Sequence, residues 1–373
     1  VSSPTGTAAV DVTDTDVICL GESMVTFLPS RPGRLADVPS FDRAIGGAES
    51  NVACALAAAG HRTRWVGRVG TDGFGDHLIH AIAGYGVDTS AVGRDPERPT
   101  GIYFRTATDR ATDAHEVVYY RRGSAASAMS PDTVPAAAVT GARVLHLSGI
   151  TPALSDDCLA LMRRLTARGP GRPLVSFDVN HRPGLWRDPA GARVLLDLAR
   201  GADLVFVGED EAADAWGLEG PAAIRAALPE PAAVVVKQGA LGATEFARPG
   251  FAAPATPARH TEAPEDREEP GPGADGPAVH EPAPAVDITA PVGAGDAFAA
   301  GYLSALLRSL PARDRLRHGH LMAAAALTVP GDVAVPPATA HADRLAALPD
   351  ADWGKLRLGP GWTTSGAEEG HAP

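Results

Sequence analysis

Four apolar runs decide the fold, each ending in a polar or glycine cluster. They are Val144-Leu145-His146-Leu147 before Ser148-Gly149, Leu174-Val175-Ser176-Phe177 before Asp178 to Arg182, Leu204-Val205-Phe206-Val207 before Gly208 to Glu211, and Val234-Val235-Val236 before Lys237 to Gly242. Each run has the length and the β-branched or aromatic content of a buried strand. Helical stretches separate them at Ser155 to Arg168, Ala190 to Arg200 and Pro221 to Ala227. Strands alternating with helices predict an α/β protein, with a mostly parallel sheet covered on both faces. Ligands of such sheets bind beyond the carboxyl ends of the strands. The polar clusters, with Gly21-Glu22 after the apolar run Val17 to Leu20, therefore mark one cleft.

Working outward, Asn51 to Ala59 reads as a helix stopped by Gly60, Thr63 to Val69 as one strand and Asp76 to Ala83 as a helix. Gly101 to Arg105 and Glu116 to Arg121 read as a hairpin. Residues 1–16 are expected to be disordered, and 17–345 to form one domain. Within it, 249–284 is crowded with Pro, Gly, Ala and acidic residues. Such a stretch buries too little apolar surface to offset ordering entropy, so a flexible insertion between two strands is expected. Past Leu345 the periodicity fades, and 346–373 reads as a C-terminal tail in which Trp353, Leu356 and Trp362 are the docking candidates.

The chain has 373 residues, 45% hydrophobic and 21% charged, with a formal net charge of −12. That balance is globular and speaks against a nucleic-acid or anionic-membrane partner. No uncharged apolar run is long enough to span a bilayer, and the first residues lack the basic start and apolar core of a signal peptide. Cys19, Cys54 and Cys158 stand among apolar neighbours without metal-ligand spacing. They read as buried thiols of a reducing, cytoplasmic compartment.

Pro291-Val292-Gly293-Ala294-Gly295-Asp296-Ala297-Phe298 carries chemistry. Small residues opening an Ala-rich helix leave backbone N–H groups free for an anion, and the helix N-terminus adds positive potential. Asp296, in the first turn, is placed to take a proton from a hydroxyl. Donors around a transferring phosphoryl group and a base on the attacking oxygen are what phosphoryl transfer needs. Taken alone, the same stretch also fits a glycine turn with an acidic N-terminal residue.

This motif resembles the second signature of the ribokinase-like, PfkB-type carbohydrate kinases. Ile45-Gly46-Gly47-Ala48-Glu49-Ser50-Asn51-Val52-Ala53 resembles the family's N-terminal glycine motif, Val66 to Gly75 its continuation, and Lys237-Gln238-Gly239-Ala240-Leu241-Gly242 its nucleotide-holding turn. The resemblance covers about 17–335. It implies a ribokinase-like three-layer αβα sandwich with a small β-rich lid from elements within about 22–45 and 98–124. Finer motifs, Tyr119 to Ala125, His146 to Ser155 and Asp178 to Trp186, resemble the 2-keto-3-deoxygluconate kinases.

The resemblance implies ATP and Mg²⁺ as cofactors and a sugar acid as substrate. Asp296 would be the base, with Gly293, Ala294 and Gly295 around the phosphoryl group. Gly47, Tyr103, Tyr119, Arg121, Ile150, Arg182 and Asp332 would line the sugar pocket; arginine's planar fork suits a carboxylate. Asn180, Arg182, Gly208, Lys237, Gly239, Gly242 and His320 would border the nucleotide, and Glu211 would act on Mg²⁺ through water. Glu211 also fits a solvated helix acid, and Asp332 a turn residue beside Gly331. Ala290 stands where relatives carry an aspartate that helps hold a monovalent cation such as K⁺. Gly208 and His320 replace common asparagines. Lids of relatives pair between subunits, which allows a homo-oligomer through the lid. A neutral-sugar kinase such as a fructokinase or ribokinase, and a catalytically silent sugar-binding protein, are the alternative readings.

Overall fold

The computed structural model describes residues 15–31, 33–106, 116–186, 190–254 and 275–367. The chain opens with β1 (Thr15–Leu20), β2 (Met24–Pro29), β3 (Phe41–Gly46), α1 (Ala48–Ala58), β4 (Thr63–Val66), β5 (Arg68–Gly70), α2 (Gly73–Gly84) and β6 (Gly93–Asp95). The hairpin β7 (Ile102–Arg105) and β8 (Val117–Tyr120) follows. Then come β9 (Ala142–Ser148), α3 (Asp156–Thr166), β10 (Leu174–Asp178), α4 (Ala190–Gly201), β11 (Leu204–Gly208), α5 (Glu209–Trp216), α6 (Pro221–Ala227) and β12 (Ala233–Lys237). β13 (Ala243–Ala247), β14 (Val279–Glu281) and β15 (Ala285–Val286) lead to α7 (Ala294–Leu307) and α8 (Ala312–Leu327). The chain closes with α9 (Thr339–Ala346), α10 (Asp350–Trp353) and β16 (Arg357–Leu358).

The main sheet has eight strands in the order β14-β13-β12-β11-β10-β9-β1-β4. It is parallel from β4 through β12 and antiparallel at β13 and β14. Alternate strand residues feed two apolar layers. Val17, Cys19, Phe206 and Val235 pack toward α1, α7 and α8, while Ile18, Leu20, Val205, Val207, Val234 and Val236 face the α3–α6 side. Both faces of each central strand are thus buried, which is why these strands read as unbroken apolar runs. A second, four-stranded sheet, β3-β2-β7-β8, forms the lid. Val118, Tyr119 and Tyr120 on its edge strand are exposed.

Three expectations change. Thr63 to Val69 is not one strand: β4 ends at Val66, and β5 pairs with β6 in a separate sheet. Gly67 marks the break, packed so closely on Trp65 and the Gly21 carbonyl that a side chain has no room. The segment expected as an insertion, 249–284, contains the edge strand β14, and its Asp275 pairs with Arg225. Residues 255–274 of it, and 1–14 at the N-terminus, lie outside the described residues.

The third change concerns the C-terminus, where a tail was expected. β16 pairs with β15, and Trp353 is fully buried. The Arg317 guanidinium stacks 4.7 Å from the Trp353 ring and binds Glu281, Asp350 and the carbonyls of Ala346 and Leu348. Local periodicity missed this because small helices hold on through those long-range partners.

Candidate active site

The carboxyl ends of β10 and β12 bring Asp178 and Lys237 side by side. Lys237 Nζ donates to Asp178 Oδ1 at 3.0 Å and Oδ2 at 2.9 Å. Burial alone would lower the Lys237 pKa, but Asp178 and Glu211 outweigh it and raise it, so the ammonium stays charged. Opposite, Gly293 caps the start of α7 with a left-handed φ of 79°. A Cβ there would also collide with the Asp332 carbonyl, so glycine is required on two counts. A Cβ on Gly295 would lie 3.6 Å from Lys237 Nζ, which places the ammonium against the glycine turn.

Asp296 is partly buried in the first turn of α7, and Asn51 Nδ2 of α1 donates to its Oδ2 at 2.8 Å. Burial pushes the Asp296 carboxyl up to about 7. The Asn51 hydrogen bond opposes this, nearby Asp178 adds to it, and Arg182 and Lys237 pull it back. A carboxyl whose pKa lies near neutrality has the proton affinity a general base needs.

Glu211 lies on α5, where Gly208 N–H donates to its Oε2 at 3.1 Å, and Arg182 Nη1 is 3.8 Å from its Oε1. Burial raises the Glu211 pKa, with Lys237 opposing and Asp178 reinforcing the shift. Asn180 is buried in a left-handed conformation (φ 42°) before Arg182, whose side chain is half exposed. Gly239 and Gly242 form the tight turn between β12 and β13, closed by Gln238 N–H on the Gly242 carbonyl at 2.8 Å. His320 is buried on α8, its Nε2 3.1 Å from the Glu281 carbonyl and its ring edge-on to Phe298. Burial pushes it down to about 4, so the ring is neutral.

Of the expected sugar residues, Tyr103, Tyr119 and Asp332 come together at the lid. Tyr103 O–H donates to Asp332 Oδ2 at 2.8 Å and stacks on Tyr119 at 5.4 Å between ring centres. Gly47 precedes α1 and packs on Glu22 and Ser23; Ile150 is half-buried after β9. Arg121 is ion-paired with buried Glu22, which also accepts from Ser124 Oγ at 2.6 Å. Arg121 and Arg182 therefore sit in separate ion pairs, one on the lid and one beside Glu211.

Sequence reasoning gave no role to Asn51, Asp178, Glu22, Glu49 or Arg105. Asp178 had a signal, since it ends a strand directly beneath the cleft. Glu49 accepts from Ser148 Oγ at 2.7 Å and Thr151 Oγ1 at 3.0 Å, and burial pushes it up to about 7. Its acidity follows from burial, which spacing along the chain does not reveal.

An αβα sandwich with a glycine turn at a helix N-terminus, an adjacent carboxyl and a β lid is an architecture suited to phosphoryl transfer. The description "pfkB family carbohydrate kinase" matches residues 14–339, and the chain belongs to that family. It is a sugar kinase. The 2-dehydro-3-deoxygluconokinase of Bacillus subtilis (strain 168) is 32% identical over 85% of this chain and 91% of its own length. That of Thermoproteus tenax is 35% identical over 55% of this chain, and the match spans 63% of that protein, somewhat under two thirds. Among solved structures, a PfkB protein from Polaromonas sp. JS666 superposes with a TM-score of 0.70 at 34% identity, covering 84% of this chain and 95% of that one. No helix among the described residues is long and apolar enough to cross a membrane.

Proposed function

We propose that the protein transfers the terminal phosphoryl group of ATP to the C6 hydroxyl of 2-keto-3-deoxygluconate, giving the 6-phosphate. The observation that carries this reading is the Asp296 carboxyl, oriented by Asn51 and set beside Lys237 and the Gly293–Gly295 turn. Asp296 takes the hydroxyl proton as the oxygen attacks phosphorus. Backbone N–H groups of Gly293, Ala294 and Gly295 and the Lys237 ammonium face the negative charge on the transferring oxygens. Asn180, Arg182, Gly208, Gly239, Gly242 and His320 border the nucleotide. Gly47, Tyr103, Tyr119, Arg121, Ile150, Arg182 and Asp332 border the sugar.

Glu211 and Asp178 fit Mg²⁺, which takes one or two carboxylates and fills its shell with waters and phosphate oxygens. Burial, reinforced by Asp178, raises the Glu211 pKa against the pull of Lys237, so added positive charge there would favour the ionised carboxylate. When bound, the ion neutralises phosphate charge. No step of the mechanism uses a monovalent cation, since Ala290 brings no side-chain oxygen to the expected position.

One observation favours a neutral sugar instead: Arg121 already has a buried carboxylate partner in Glu22. An ADP-release assay against 2-keto-3-deoxygluconate, its galactose epimer, gluconate, fructose, ribose and adenosine separates the two. The sugar acid should give the highest kcat/KM; a preference for fructose or ribose removes the acid reading. Arg121→Ala should raise KM for the acid by orders of magnitude with little change in kcat, because a carboxylate contact is made equally in ground and transition states. An unchanged KM discards the clamp.

A further inference from the structure

Asp332 follows α8, and three separate parts of the chain converge on it. Its Oδ1 accepts from Arg105 Nη2 of the lid strand β7 at 2.6 Å, and its Oδ2 from the Tyr103 hydroxyl at 2.8 Å. Arg105 also donates to the Pro330 carbonyl at 3.2 Å. Both members of the ion pair have side chains only 4% exposed. A Cβ on Gly46, of the glycine motif, would lie 2.6 Å from Asp332 Oδ2. The Asp332 backbone, in turn, lies directly against Gly293: a Cβ there would be 3.3 Å from the Asp332 Cα and would overlap its carbonyl. One residue thus touches the lid with its side chain and the glycine turn of α7 with its main chain.

We propose that Arg105 is a positioning residue that couples the lid to the phosphoryl-holding turn through Asp332. Arg105 fixes the carboxylate and, through Pro330, the backbone leading to it; Asp332 fixes Gly293. Tyr103, in line for the sugar, shares the same carboxylate, so a sugar pulling on Tyr103 is felt at Gly293. Packed networks with few voids transmit such displacements, and removing one partner of a buried ion pair leaves an uncompensated buried charge. Nothing local to the hairpin requires an arginine at 105; its partner is 227 residues away. The inference rests on reading Asp296 and Gly293 as base and phosphoryl site, but not on which sugar is bound.

The test is Arg105→Gln, with Arg105→Lys as the conservative rescue and Asp332→Asn as a second probe of the same pair. Each is assayed with the sugar that the wild type turns over fastest, after thermal melts establish the folded fraction. The expected result for Arg105→Gln is a kcat lower by about 10²-fold, the scale of a small misplacement of reacting groups, with KM for ATP raised by no more than the lost sugar–nucleotide synergy. Lysine should restore part of it. Calorimetry with a non-hydrolysable ATP analogue should show sugar tightening the analogue in the wild type and losing that effect in Arg105→Gln. A kcat within twofold of wild type at matched folded fraction overturns the proposal, and so does a loss confined to KM for sugar. If Arg105→Gln does not fold, an Asp332→Asn variant with wild-type kcat and intact sugar–nucleotide synergy overturns it equally. A wrong sugar assignment shows in the wild type; a wrong coupling shows only in the variants.

Discussion

The Lys237 ammonium bridges the cleft: it lies 2.9 Å from Asp178 Oδ2, and a Cβ on Gly295 across the cleft would stand 3.6 Å from it. Asp178 keeps the cation charged, and the cation holds down the pKa of both Glu211 and Asp296. A single side chain at the end of β12 thereby favours the ionised form of two acids. Its own pKa is raised, because pairing outweighs burial.

Removing that charge should do two things. Lys237→Met should lower kcat by about 10²–10³-fold, the scale for losing one donor to developing negative charge. It should also move the acid limb of the pH–rate profile upward, because Asp178 is left uncompensated beside Asp296. Lys237→Arg should keep the limb in place. Steady-state rates between pH 5.5 and 9 read both effects.

Asp296→Asn should cut turnover by about 10²–10⁴-fold, the usual worth of a positioned base, with nucleotide binding retained. Stability moves the other way. The folded carboxyl has a pKa raised from 3.8 to about 7, so the native state holds a proton that the unfolded chain releases. The stability this confers is present below about 3.8 and is lost as pH rises toward about 7. At pH 8 the variant should therefore melt at a higher temperature than the wild type, with a smaller difference at pH 5. Equal melting temperatures at pH 8 would show that the carboxylate is not strained by burial.

Asn51→Ala removes the hydrogen bond that favours the ionised form of Asp296. The acid limb of kcat/KM should shift to higher pH, while the rate at pH 9 stays within severalfold of wild type. A limb that stays in place would assign it to another group.

Trp353 tests the C-terminal packing. Its ring is fully buried, and its Nε1–H donates to the Pro282 carbonyl at 2.8 Å. Trp353→Ala should lower stability by about 3–5 kcal/mol, seen as an earlier denaturant midpoint. A shift below about 1 kcal/mol would mean that the C-terminal segment contributes little to folding.

Local sequence was enough to establish the sheet. β9, β10, β11 and β12 are buried on both faces, so their apolar runs are continuous and their polar ends conspicuous. Those ends marked the cleft and supplied Glu211 and Lys237, and the small residues before α7 supplied Asp296. Pairing across the chain was beyond local reading. Asn51 meets Asp296 across 245 residues, and Arg105 meets Asp332 across 227. Spacing along a strand or helix encodes which face a side chain occupies, but not which distant face it will meet. The same limit hid the partner of Arg121, since Glu22 approaches it only when β2 and β7 pair in the lid sheet. Tertiary packing also set the acidities: Glu49 and Asp296 are ordinary carboxylic acids in the chain, and both are pushed up to about 7 because folding takes them out of water.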